Sequence, residues 1–201
     1  MADIFLKENS DKKIREDRVL NFFNHKNLSS ITKTNPNNID FEIGCGHGHW
    51  LNAYAQLNPN RVCLGVDLNT KRIEKSNHKK NLNNLSNLFF LKADANEFIN
   101  FKPADIKFSK IFIFFPDPWP KNRHHKKRLI QHSFLKLLQS HTCKESQIYF
   151  RTDHVDYFNW TKSIFEDSED WILSNLQWPL EHQSYFQDLL PTFSSLSAIK
   201  S

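Results

Sequence analysis

"IDFEIGCGHGHW", residues 39–50, decides the fold of this chain. It opens as a short run in which apolar residues alternate with two acids, Asp40 and Glu42. Three of the chain's four glycines, Gly44, Gly46 and Gly48, then alternate with other residues, and a helical pattern starts at once. A strand that passes through glycines into a helix begins a βαβ unit. The glycines can take positive φ and leave room for a ligand to approach the backbone. The dinucleotide spacing Gly-x-Gly-x-x-Gly fails, because His49 stands where its third glycine belongs, and no Walker-type phosphate loop occurs.

Four more apolar runs follow it: "RVCLGVDL" (61–68), "NLFFLKAD" (87–94), "KIFIFFPD" (110–117) and "SQIYFRTD" (146–153). Several are apolar on both faces, as buried parallel strands are. The segments between them carry helical spacing. "HWLNAYAQL" puts Trp50, Leu51, Tyr54 and Leu57 on one face, and "RLIQHSFLKLL" (128–138) does the same with Leu129, Ile130, Phe134, Leu137 and Leu138. Strand and helix alternating five times predict an α/β chain with a doubly wound, mostly parallel sheet. Such sheets bind ligands beyond the carboxyl ends of their strands, near the switch point. Glu42, Asp67, Asp94 and Asp117 would gather along that edge, with Asp153 at the end of the fifth strand. Structural alternatives stand beside these readings: Asp94 can cap a helix starting at Ala95, and Asp67 can begin a turn.

At 201 residues the chain is long enough for one core and short for two, so residues 39–201 read as one domain. Residues 1–38 read as a polar arm with one helix around Ile14 to Phe23. No apolar stretch has the length of a membrane span or a secretory signal, and three widely spaced cysteines form no disulfide framework or metal-ligand pair, which points to the cytoplasm. The net charge of +5 favours an acidic partner such as nucleic acid. Its distribution is sharper than its sum, because no Asp or Glu lies between Pro118 and Lys144.

That acid-free segment begins inside "FPDPWPKNRHHKKR", residues 115–128, where Asp117 sits among Pro116, Pro118 and Pro120 and the cations Lys121, Arg123, Lys126, Lys127 and Arg128 follow. Proline fixes φ, so the turn is stiff around its carboxylate. A charge run is ordinarily a solvated face, but this one adjoins the presumed ligand edge and suits phosphates. Trp119 can stack on a base or pack the turn. For His124 and His125 no partners are spaced to complete a metal site.

Glu-x-Gly-x-Gly-x-Gly resembles the first motif of the Rossmann-like methyltransferases, and Phe-Pro-Asp-Pro-Trp leading into Lys-x-Arg-His resembles the signature of bacterial tRNA (guanine-N7-)-methyltransferases. The resemblance runs from about Asp40 to Trp160 and includes "RTDHVDYFNW". It implies S-adenosylmethionine as cofactor and N7 of a guanosine in the variable loop of tRNA as methyl acceptor. It assigns Glu42, Gly44, Gly46, Gly48, Asp67, Asp94 and Asp117 to the cofactor, with Asp67 on the ribose hydroxyls and Asp94 on the adenine amino group. Asp117 would also be catalytic. Lys121, Arg123, Asp153 and Thr192 would meet the RNA. The family closes with Thr-x-x-Glu, whereas Ser195 stands three residues after Thr192 here; Glu181 and Asp188 are the acids available to substitute. Rival expectations are a methyltransferase for another RNA or a small molecule, and an S-adenosylmethionine-binding RNA-binding protein with little activity.

Overall fold

A computed structural model describes residues 2–34, 37–181 and 192–201, with side chains from Ser10 onward. Seven strands form one sheet in the order β3-β2-β1-β4-β5-β7-β6. They are β1 (Ile39–Ile43), β2 (Val62–Asp67), β3 (Leu88–Lys92), β4 (Phe108–Phe114), β5 (Thr142–Thr152), β6 (Trp171–Leu173) and β7 (Ser194–Lys200). The first five strands pair parallel with one another, and β7 runs antiparallel to both of its neighbours. The expected doubly wound, mostly parallel sheet is therefore present, with its switch point between β1 and β4.

Alternation along the strands divides the core into two layers. On β4, Ile111 and Ile113 face one cluster with Phe41, Phe98 and Phe150, while Phe112 faces the other with Trp50, Tyr54 and Tyr149. Helices α3 (His49–Leu57) and α4 (Thr70–Leu82) belong to the second side, and α5 (Ala95–Phe101) and α6 (His132–Ser140) to the first. Helix α7 (Val155–Glu166) follows β5 and adds Tyr157, Ile164 and Phe165 to the first cluster.

Residues 1–38 contain two helices, α1 (Ala2–Asn24) and α2 (Lys26–Thr34), in place of the single expected one. Val19, Phe23 and Leu28 from them are buried in the first cluster. Two further expectations need correction. The helix predicted from Arg128 starts at His132, because the Ile130 N–H donates to the Tyr157 hydroxyl and its carbonyl accepts from Trp160 Nε1. Those bonds to α7 occupy the backbone groups that a helix would use. Strands β6 and β7 have no counterpart in the expected elements: one has three residues, and serines occupy much of the other. Among the described residues, no helix is long and apolar enough to cross a membrane.

Candidate active site

The five acids expected along the ligand edge lie at or just beyond the carboxyl ends of parallel strands. Glu42 is the penultimate residue of β1 and Asp67 the last of β2; Asp94, Asp117 and Asp153 follow β3, β4 and β5. Because β7 is antiparallel, its first residues reach the same edge, which brings Thr192 there too. The Phe193 ring lies 6.0 Å from that of Phe115, two residues before Asp117.

The loop between β1 and α3 has the predicted conformation, with φ of 75°, 55° and 67° at Gly44, Gly46 and Gly48. The three glycines have different reasons to be glycine. A Cβ on Gly48 would meet Phe90 at 2.8 Å and Ser76 at 2.9 Å, so this position is one of close packing. At Gly44 nothing lies within 4 Å, and at Gly46 only a carbonyl oxygen at 4.0 Å, so backbone there faces open space. The loop is pinned to β2 by the Gly44 and Cys45 N–H groups, which donate to the Val66 carbonyl at 2.9 and 3.0 Å. The Gly46 N–H donates to Asp67 Oδ2 at 3.1 Å.

Asp67, 7% exposed, thus holds the glycine loop directly. Its Oδ1 also accepts from Asn69 N–H at 2.8 Å, and Arg72 Nη1 approaches Oδ2 at 3.4 Å. Asp94 Oδ1 caps α5 by accepting from the N–H groups of Asn96 and Glu97. Both structural alternatives raised by the sequence are present, and neither uses all the acceptor capacity of its carboxylate. Glu42 is different. It is 4% exposed, its Oε2 has no partner, and burial followed by the nearby charge of Asp67 pushes its carboxyl well above the ordinary range. A buried acid in that state waits for a cation or a donor.

Asp117 is exposed, and the turn around it is held under strain. Phe115 and Trp119, two residues to either side, have φ of 50° and 44°, a region that bulky residues seldom enter. Three interactions secure the turn. The Phe115 N–H donates to the Arg151 carbonyl at 2.8 Å, Arg128 Nε donates to the Pro118 carbonyl at 2.8 Å, and Lys127 Nζ sits 4.6 Å from the centre of the Trp119 ring. His124 also meets Trp119 edge-on, so this tryptophan packs against its own loop.

The basic run continues as a 3-10 helix over Asn122–Lys127. Lys121, Arg123, Lys126 and Lys127 are exposed, as phosphate contacts require. Arg128 is not: at 2% exposure it turns inward, pairs with Asp156 and lies over the rings of Tyr157 and Trp160. The expected five surface cations are four, and the fifth anchors the Asp117 turn to α7.

The residues fit a sulfonium cofactor better than a phosphate-bearing one. The loop offers open backbone and carboxylates, with Glu42 Oε2 lacking a partner, and it has no lysine within the glycine run. Comparisons with known proteins agree. A family model described as "Putative methyltransferase" matches residues 36–185. A tRNA (guanine-N(7)-)-methyltransferase from Lachnoclostridium phytofermentans is 31% identical over 79% of this chain and 73% of its own length. One from Mesomycoplasma hyopneumoniae is 37% identical over 68% of each chain. The chain belongs to the tRNA (guanine-N7-)-methyltransferase family. Among solved structures, precorrin-6y C5,15-methyltransferase from Geobacter metallireducens GS-15 shares the fold, with a TM-score of 0.56 at 13% identity over 87% of this chain and 88% of that one.

The family match stops at residue 185, upstream of Thr192 and Ser195. Asp188 lies outside the described residues. Glu181 grips Arg151 Nη2 with both carboxylate oxygens at 2.9 and 2.8 Å, and Arg151 Nε donates to Ser195 Oγ at 3.1 Å. Arg151 is itself 4% exposed and lies against Trp178 at 3.9 Å. These side chains line a cavity of about 630 Å³ beside β5 and β7. Apart from Glu181 and Ser195, no local pattern in the sequence marks this cluster, because its members come from three separated segments.

Proposed function

We propose that this chain transfers the methyl group of S-adenosylmethionine to N7 of a guanosine in tRNA, in the variable loop by family resemblance. The observation that carries the reading is the strained, exposed Asp117 turn, set at the switch-point edge between the glycine loop and four exposed cations. Cytoplasmic location belongs to the same reading.

S-adenosylmethionine supplies an electrophilic methyl on a sulfonium. Gly44 and Gly46 would give it backbone at close range, Glu42 and Asp67 would face its cationic and hydroxyl-bearing parts, and Asp94 would accept from the base. Guanine N7 carries a lone pair, so the chain needs no general base, and alignment alone can supply up to about 7–11 kcal/mol. As N7 takes the methyl, positive charge appears on the purine, and the Asp117 carboxylate stabilises it in place. The strain at Phe115 and Trp119 keeps that carboxylate oriented beforehand. Lys121, Arg123, Lys126 and Lys127 would position the RNA through its phosphates, and Asp153 and Thr192 border the same edge.

Incubation with methyl-labelled S-adenosylmethionine and bulk tRNA, followed by nucleoside analysis, tests the reading. Label in 7-methylguanosine supports it. Label in another nucleoside redirects it to another RNA position, and cofactor binding without transfer would leave an RNA-binding protein.

A further inference from the structure

A hollow of about 350 Å³ opens beside Asp94, and half of its lining comes from α1. Its floor is made by Leu68 after β2, Lys92 at the end of β3, Ala93 and Asp94 before α5, and Glu97 in the first turn of α5. The opposite wall is Asp11, Ile14, Arg15, Arg18 and Val19. Two of the few exposed large apolar side chains among the described residues face this one space: Ile14 is 54% exposed and Leu68 68% exposed. They come from opposite sides of the hollow, so their apolar surface is matched across a gap rather than scattered.

The rim charges balance. Asp11, Asp94 and Glu97 oppose Arg15, Arg18 and Lys92, leaving no net field to favour an anion or a cation. An uncharged planar group with hydrogen-bonding edges suits such a slot, whereas a phosphate does not. The wall is also fixed in place. Arg15 Nε pairs with Glu97 at 2.8 Å, and in the turns that follow Val19 and Phe23 are buried, while Phe22 meets the rings of Phe89 and Phe98 at 6.5 and 6.0 Å.

We infer that α1 completes the cofactor pocket, with Ile14 and Leu68 enclosing the adenine base and Asp94 at its amino edge. The N-terminal segment then belongs to the active site. This rests on the proposed use of S-adenosylmethionine, and the test separates the two. Isothermal calorimetry on the full chain with S-adenosylhomocysteine and with adenosine is compared for wild type, Ile14→Glu and Leu68→Glu. A buried charge replacing an apolar surface should weaken both ligands by about tenfold or more in both variants. The melting temperature should hold, since both side chains are exposed. In methylation assays the KM for S-adenosylmethionine should rise by a similar factor, with the KM for tRNA unchanged. If Ile14→Glu binds S-adenosylhomocysteine within about twofold of wild type, or only the KM for tRNA moves, α1 is not a wall of this pocket. Wild type that binds S-adenosylhomocysteine without methylating tRNA would overturn the proposed function and leave this inference to the binding data; wild type that binds neither ligand overturns both.

Discussion

Asp117 stands between two prolines in a turn whose flanking residues, Phe115 and Trp119, are both in the left-handed region. Holding two bulky residues there costs of order 1–3 kcal/mol each, which a mere connection would not need. Asp117→Asn keeps the shape and removes the charge. The rate of a single turnover with saturating cofactor and tRNA should fall steeply, while tRNA affinity should survive on the cations; a rate within about threefold of wild type, under ~0.7 kcal/mol of barrier, would remove Asp117 from catalysis. Glu42 makes a second demand at this scale. Its carboxyl is held well above the ordinary 4.5 by burial and by Asp67, so the folded chain retains a proton that the unfolded chain releases. Stability is therefore lost as pH climbs from about 4.5 towards the raised value, and no loss applies below the ordinary one. Glu42→Gln should raise the melting temperature at pH 7, with the gain vanishing near pH 4, and should weaken S-adenosylhomocysteine binding. Equal melting temperatures at pH 7 would show that the buried acid carries no such penalty.

Among the elements, the basic segment is the most legible in sequence, yet one of its members departs from the pattern. Lys121, Arg123, Lys126 and Lys127 face solvent, whereas Arg128, indistinguishable from them in sequence, is buried under the turn. Nothing local marks it, because its partners Pro118, Asp156, Tyr157 and Trp160 are brought to it by tertiary structure. The two kinds of cation should separate in experiment. Replacing Arg123 and Lys126 with Ala leaves Lys127 on Trp119, and should lower the slope of log K against log salt for tRNA by roughly 0.7–0.9 for each phosphate no longer neutralised. Arg128→Ala should instead lower stability by about 1–3 kcal/mol, as loss of a buried network does. An unchanged slope in the double variant would mean that the run is only a solvated face.

At the scale of the whole chain, the five parallel strands are readable because each is a short, mainly apolar run with an acid at or near its end, and the glycine loop because its three glycines are most of those the chain has. The antiparallel edge is not, since β7 turns on one serine whose burial only pairing explains: Ser197 Oγ accepts from Leu176 N–H at 3.1 Å and donates to the Ser174 carbonyl. The N-terminal segment hides its second helix for a related reason, its polar composition masking a few buried positions. Val19, Phe23 and Leu28 belong to the same core cluster as Phe41 on β1 and Phe108 on β4. A segment sharing that core cannot detach without opening it, so the chain should unfold as one cooperative unit. Helical ellipticity reports heavily on α1, whereas the tryptophans, Trp50, Trp119, Trp160, Trp171 and Trp178, all lie outside it. Thermal melts followed by far-UV circular dichroism and by tryptophan fluorescence should therefore coincide. Saturating S-adenosylhomocysteine should move both curves together, by about 2.7 kcal/mol of stabilisation at one hundred times its Kd. An early loss of helical signal ahead of the fluorescence transition, unmoved by ligand, would mean that α1 melts independently of the sheet and that its apolar anchors contribute little.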